Sequence, residues 1–129
     1  MCEILLSINP EHVENIFNGK KIYEYRKTSA KRKIDKIYIY CTHPVKKIVG
    51  VVDVDDVIED KPEIVWEITK KGSGTSKEFF DEYYKNSTKA VAYKLSNIQK
   101  FSTPKELSDY GISNAPQSFI YMNSIQPNR

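Results

Sequence analysis

An α+β fold, built on a small and mostly antiparallel β-barrel of about six strands with peripheral helices, is what this sequence predicts. Two observations carry that prediction. Six short runs have strand patterning, and the helical runs fall at their ends instead of between every strand pair, which argues against a doubly wound sheet. Closing such a sheet into a barrel also removes edges that would pair with other chains. The 129-residue chain is expected to form one domain over residues 1–125, with a frayed tail at 126–129.

Each element has a local reason. Residues 3–8 read as the first strand, and Asn9, Pro10 and Gly19 suit the N-cap, the first helical position and the left-handed end of a helix over 10–18. Val13, Ile16 and Phe17 give that helix one apolar stripe. The period then changes to two, predicting a strand over 21–26 in which Ile22, Glu24 and Arg26 share one face and Tyr23 and Tyr25 the other. Lys36-Ile37-Tyr38-Ile39-Tyr40-Cys41 alternates as a half-buried strand, broken by Thr42-His43-Pro44. A strand over 47–58 follows, with Gly50 a candidate bulge.

The second half begins with a helix over 62–71 ended by Gly72, and Ser73-Gly74 reads as a flexible joint. Thr75-Ser76-Lys77-Glu78 has a capping-box pattern for a second helix, whose Phe79, Phe80, Tyr83 and Tyr84 are expected, with Trp66, as core or lid residues. Residues 89–101 return to strand patterning. Thr103-Pro104-Lys105-Glu106 is expected to cap a helical turn that Gly111 ends, and 118–122 form the last strand.

Composition excludes several classes. Apolar content of 40% and charged content of 29% are ordinary for a globular domain. The longest apolar run, residues 48–52, is broken by Gly50 and far too short for a membrane span. The N-terminal residues lack a basic leader and a cleavage site, so a cytoplasmic protein is expected. Cys2 and Cys41 suggest no disulfide framework, and Cys41-x-His43 supplies only two ligands, so no metal and no cofactor are expected. No glycine-rich phosphate loop is present.

Charge is distributed unevenly. Residues 20–36 hold eight basic and two acidic side chains, a local +6, whereas the other 112 residues sum to −3 within a net charge of +3. Lys27, Lys31, Arg32, Lys33 and Lys36 form the candidate basic patch, which is either a solvated loop or an attractor for a phosphate backbone.

The stretch Gly19-Lys20-Lys21-Ile22-Tyr23-Glu24-Tyr25-Arg26 is the richest in chemistry. Arg26 has the two-pronged donor geometry for a phosphate or a base edge, and Glu24 on the same face can orient it or accept from a base amino group. Lys21 falls at the opposite parity and joins them only if the strand begins after it or bulges. The residues alone leave two readings open, a rim salt bridge and the floor of a polar site. Tyr23, Tyr25, Tyr38 and Tyr40 are either ordinary sheet packing or a stacking platform for bases, with Tyr23 and Tyr25 the candidate ligand contacts.

Three separated segments resemble the ASCH domain (activating signal cointegrator homology) of the PUA-like superfamily. Leu6-Ser7-Ile8-Asn9-Pro10 runs into Ile16-Phe17-Asn18-Gly19, where the family has leucine-serine-isoleucine-x-proline ahead of its first helix. Gly19-x-Lys21-x-x-Glu24-x-Arg26 matches the family's glycine-x-lysine-x-x-glutamate-x-arginine core. Pro116-Gln117-Ser118-Phe119-Ile120-Tyr121 resembles its proline-glutamine-serine-phenylalanine strand, and Ala92-Tyr93-Lys94-Leu95 sits where such domains have a central strand.

The resemblance implies a PUA-like barrel whose cleft faces the first helix and receives RNA or a nucleotide-like ligand. Carried over by position, Lys21, Glu24 and Arg26 become cleft residues, with Gln117 and Ser118 as partners from the last strand. It also implies a setting in transcriptional or other RNA-linked regulation, without a membrane. Other members hydrolyse RNA or acylated cytidine nucleosides, and in an enzyme Glu24 and Lys21 would be the catalytic candidates. The amidohydrolase relatives use a lysine, a threonine and a glutamate, with the threonine two residues before the arginine. That position is Glu24 here, which tilts the expectation toward binding. A protein-interaction module is the third option, and the sequence does not fix the oligomeric state.

Overall fold

The structure, a computed structural model, describes residues 2–122, so the tail expected at 126–129 lies outside the described residues. Strand β1 (Glu3–Ile8) alternates as its sequence dictates. Ile4, Leu6 and Ile8 enter one buried cluster and Leu5 enters another. Asn9 then caps α1 (Pro10–Phe17), its side-chain oxygen accepting from the Glu11 N–H at 3.0 Å, and Gly19 takes a φ of +84° beyond the helix. Val13 and Ile16 seat α1 on the sheet. A β-carbon at Gly50 would lie 2.6 Å from the Gln99 carbonyl oxygen and 2.9 Å from the Phe17 ring, so this close approach needs glycine.

The remaining elements are β2 (Tyr23–Arg26), β3 (Lys36–Cys41), β4 (Lys47–Asp60), α2 (Pro62–Thr69), α3 (Lys77–Tyr84), β5 (Ala90–Lys105) and β6 (Phe119–Tyr121). Single 3-10 turns cover Lys70–Gly72 and Leu107–Tyr110. The strands form one sheet in the order β2-β5-β4-β3-β1-β6, with β1 and β3 parallel and the other pairs antiparallel. The sheet curls into a half-barrel. Across its opening, Arg26 Nη2 of β2 donates to the Ser7 carbonyl of β1 at 2.7 Å.

Three departures from the expected elements have physical causes. β2 begins at Tyr23, because Lys21 bridges to Ser73 and the Ile22 N–H donates to the Gly72 carbonyl. β5 runs on through Thr103 and Pro104, which were expected to cap a helix. Gly50 pairs with Lys100 and Ile48 with Lys105, so residues 101–104 bulge out of the ladder and a proline costs no bond there. The helical turn is capped by Glu106, which exchanges hydrogen bonds with Asp109, and Gly111 ends it at a φ of +72°. At α3 the capping residue is Ser76, accepting from the Phe79 N–H at 3.1 Å.

Sheet order also removes the four-tyrosine platform. β2 and β3 are separated by β5 and β4, so Tyr23 and Tyr25 do not adjoin Tyr38 and Tyr40. Tyr23 and Tyr25 instead pack with Val65, Phe80, Tyr84, Ala90 and Ala92 beneath α2 and α3. Tyr40 packs with Leu5 and Ile48, and Tyr38 meets Tyr110 edge-on at 5.7 Å. Among the described residues no helix is long and apolar enough to cross a membrane.

Ile39 sits fully buried on β3 between β1 and β4, in the cluster that seats α1. Ile39→Ala should therefore cost about 2–5 kcal/mol, read as a lowered midpoint in urea unfolding.

Candidate functional site

A pocket of about 240 Å³ opens where β1 ends, α1 begins, and β2 and α3 pass. Ser7, Ile8, Asn9 and His12 line one side, and Lys21, Glu24, Tyr25 and Arg26 form the β2 side. Thr75, Phe79, Phe80 and Tyr83 close it from α3 and the residues before it. The structure thus brings Lys21, Glu24 and Arg26 together in one pocket.

Lys21 is the deepest of the three, only 2% exposed. Its Nζ donates to the Ser73 carbonyl at 3.2 Å, lies 3.8 Å from Glu24 Oε1 and sits 4.6 Å from the centre of the Tyr25 ring. Burial lowers its pKa below the usual lysine value, Glu24 pulls it back up, and Arg26 pushes it further down. Arg26 Nε lies 3.3 Å from Glu24 Oε2, yet it is buried without a properly directed hydrogen bond. Two cations and one anion leave the cluster one positive charge in excess.

Gly72-Ser73-Gly74, read from sequence as a hinge, is a packed wall behind Lys21. A β-carbon at Gly74 would lie 2.8 Å from Lys21 Cα, and Gly74 holds a φ of +64°. Asn15 Nδ2 donates to the Gly74 carbonyl at 3.3 Å, and the Lys21 N–H donates to the Asn15 carbonyl at 2.9 Å. The glycines here serve close approach, not mobility.

The other expected site residues divide. Tyr25 lines the pocket, but its hydroxyl shares a 2.7 Å hydrogen bond with Thr69 and burial pushes its pKa up to about 12. Tyr23 is absent from the pocket wall and belongs to the core. Gln117 and Ser118 are exposed and outside the lining, although the Ser118 carbonyl accepts from the Ser7 N–H at 3.4 Å. Lys27, Lys31 and Arg32 are exposed, with Lys27 Nζ 4.9 Å from the Tyr83 ring centre. Lys36 is paired with Asp53, and Lys33 lines a separate hollow beside Asp55 and Asp56. Among the described residues no group of three His, Cys, Asp or Glu is placed to hold a metal ion.

His12 and Thr75 carried no site signal in the sequence, and Phe79 and Tyr83, expected as core or lid residues, join them in the pocket wall. The half-buried His12 has an enclosed Nδ1 with no hydrogen-bond partner and meets Phe79 edge-on at 5.3 Å. One signal was available for α3. Phe80 and Tyr84 already make a buried stripe at i, i+4, so the adjoining stripe of Phe79 and Tyr83 is turned partly outward, with Tyr83 packed on the core's edge and Phe79 exposed.

Two outcomes test this geometry. Gly74→Ala should cost about 1–2 kcal/mol from the left-handed backbone alone and displace Lys21, so the lysine's NMR resonances should shift with the melting point. His12 has its pKa lowered from 6.5, mainly by burial, with Lys21 and Arg26 also lowering it and Glu24 and Glu11 raising it. Its stabilising contribution is therefore complete above about pH 6.5 and lost as pH falls through the lowered value. Urea titrations at about pH 7 and about pH 5 should show a smaller acid-side loss for His12→Gln than for the wild type.

A family model described as the ASCH domain matches residues 6–105. The large ribosomal subunit protein uL22 of Ureaplasma parvum serovar 3 is 31% identical over 120 residues, which is 92% of this chain and 39% of that protein. This chain therefore spans about two-fifths of the length of those ribosomal relatives. An ASCH domain-containing ribonuclease of Zymomonas mobilis is 26% identical over 98 residues, 75% of this chain and 66% of that one. In fold, the crystal structure of ASCH from Zymomonas mobilis aligns with a TM-score of 0.84 at 24% identity, covering 92% of this chain and 86% of its own. The match over residues 6–105, and the half-barrel that places Lys21, Glu24 and Arg26 in one pocket, make this chain a member of the ASCH domain family.

Proposed function

We propose that this ASCH domain binds RNA, or a nucleotide unit of it, with one phosphodiester seated on Lys21 and Arg26. The observation that carries the reading is the buried Lys21–Glu24–Arg26 cluster, whose single excess positive charge matches the single negative charge of a phosphodiester. Arg26 lines the pocket with its guanidinium held by Glu24 and the Ser7 carbonyl, so it meets the ligand as an oriented charge. Lys27, exposed and seated over the Tyr83 ring, puts a further positive charge beside the pocket, and the exposed Lys31 and Arg32 follow it in the same basic loop. Binding without turnover fits a place in RNA-linked regulation, transcription included.

A second reading, cleavage of the bound RNA, is favoured by the relative named a ribonuclease and by the buried ammonium at the pocket floor. Lys21 there would stabilise the charge of a phosphoryl transition state in a site shielded from water. Labelled RNA incubated with the wild type and with Glu24→Gln separates the two. Products formed by the wild type and lost in the variant favour cleavage.

Titration of a single-stranded oligoribonucleotide at several salt concentrations tests the binding itself. Affinity should fall with salt, and Lys31→Ala should reduce the logarithmic slope by about 0.7, the share of one phosphate on a single strand. Arg26→Ala should weaken binding at least about tenfold, the loss of a charge-assisted contact. Undetectable binding at low salt would sink the proposal.

A further inference from the structure

Phe79 stands out among the apolar side chains that the function has not absorbed. It is 50% exposed, and it is the only aromatic among the large exposed apolar residues described. It also lines the pocket that holds Lys21, Glu24 and Arg26. A singly exposed aromatic needs no explanation on an open surface, but this one sits at a charged mouth and is held in place. Its backbone N–H is tied to the Ser76 cap at 3.1 Å, its neighbour Phe80 is buried, and the His12 ring braces it edge-on at 5.3 Å. A ring fixed in this way loses little conformational freedom when something stacks on it.

From this juxtaposition we infer that Phe79 is a base-stacking subsite, taking one unpaired nucleobase of a single-stranded RNA whose adjacent phosphodiester lies on Lys21 and Arg26. The inference rests on the RNA-binding reading and names what that reading leaves open, the part of the ligand recognised besides its charge. Size agrees, since about 240 Å³ falls below the roughly 300–1,000 Å³ of a drug-sized site and takes part of one nucleotide. Charge agrees as well. Tyr83, one turn along α3 from Phe79, carries the exposed Lys27 over its ring, which puts a cation beside the mouth for the next phosphate. A duplex keeps its bases stacked inside and has no free face to offer Phe79, so the subsite selects single strands.

The test is a fluorescence titration of the full chain with a single-stranded oligoribonucleotide carrying one 2-aminopurine, whose emission is quenched on stacking. The wild type should quench it, and a duplex of the same sequence should compete poorly. Phe79→Ala should weaken binding about 5- to 150-fold and abolish the quenching, with the salt slope unchanged because no phosphate contact is lost. Phe79→Trp should restore both signals. If Phe79→Ala binds and quenches like the wild type, the subsite falls while RNA binding stands. If the wild type binds no oligonucleotide at all, both fall, and an exposed Phe79 belongs instead to a protein interface.

Discussion

Burying a lysine costs several kcal/mol unless its charge is balanced and its protons are bonded, and Lys21 is almost completely enclosed. The architecture around the pocket follows from meeting that demand. Ser73 supplies a carbonyl from the turn after α2, and Glu24 a carboxylate and Tyr25 a ring face from β2. These groups offset the desolvation without filling the ammonium's surroundings with negative charge, because Arg26 stands on the far side of Glu24. Burial and Arg26 then hold the lysine's pKa down. On the proposed reading, an anion entering the pocket adds the negative charge that this cluster lacks.

The same demand explains the glycines at 72 and 74 and the short second strand. A wall of backbone must lie flat against residues 21 and 22 to present the Ser73 carbonyl, and any side chain at Gly72 or Gly74 would push it away. β2 is consequently free to pair only from Tyr23 onward, with β5. Arg26 ends that strand by bonding to the Ser7 carbonyl, so one residue both spans the opening of the half-barrel and completes the charge cluster. Fold and site are therefore coupled. A substitution in the cluster loosens the junction of β1 and β2 as well as the pocket.

Much of this was legible in the sequence, for local reasons. The cap at Asn9, the stop at Gly19, the alternation of β1 and β3, and the cluster of Lys21, Glu24 and Arg26 follow from residue chemistry within a few positions, or from the family pattern that quotes them. What failed was non-local. Lys21 was the doubtful member because parity along an unbroken strand excluded it, and its bridge to Ser73, 52 residues away, breaks that parity. The tyrosine platform failed because sequence neighbours among strands are not sheet neighbours. His12 was missed, and Phe79 was legible only as a core or lid residue, because the ring contact between them joins α1 to α3 and no local pattern specifies it.

On the proposed reading, the Lys21–Glu24–Arg26 pocket, more than the basic loop outside it, is where RNA is held. A crystal structure of the chain with a short single-stranded oligoribonucleotide tests this most directly. A phosphate oxygen should lie within hydrogen-bonding distance of Lys21 Nζ and of the Arg26 guanidinium. RNA bound along residues 27–33 with the pocket unoccupied would contradict it.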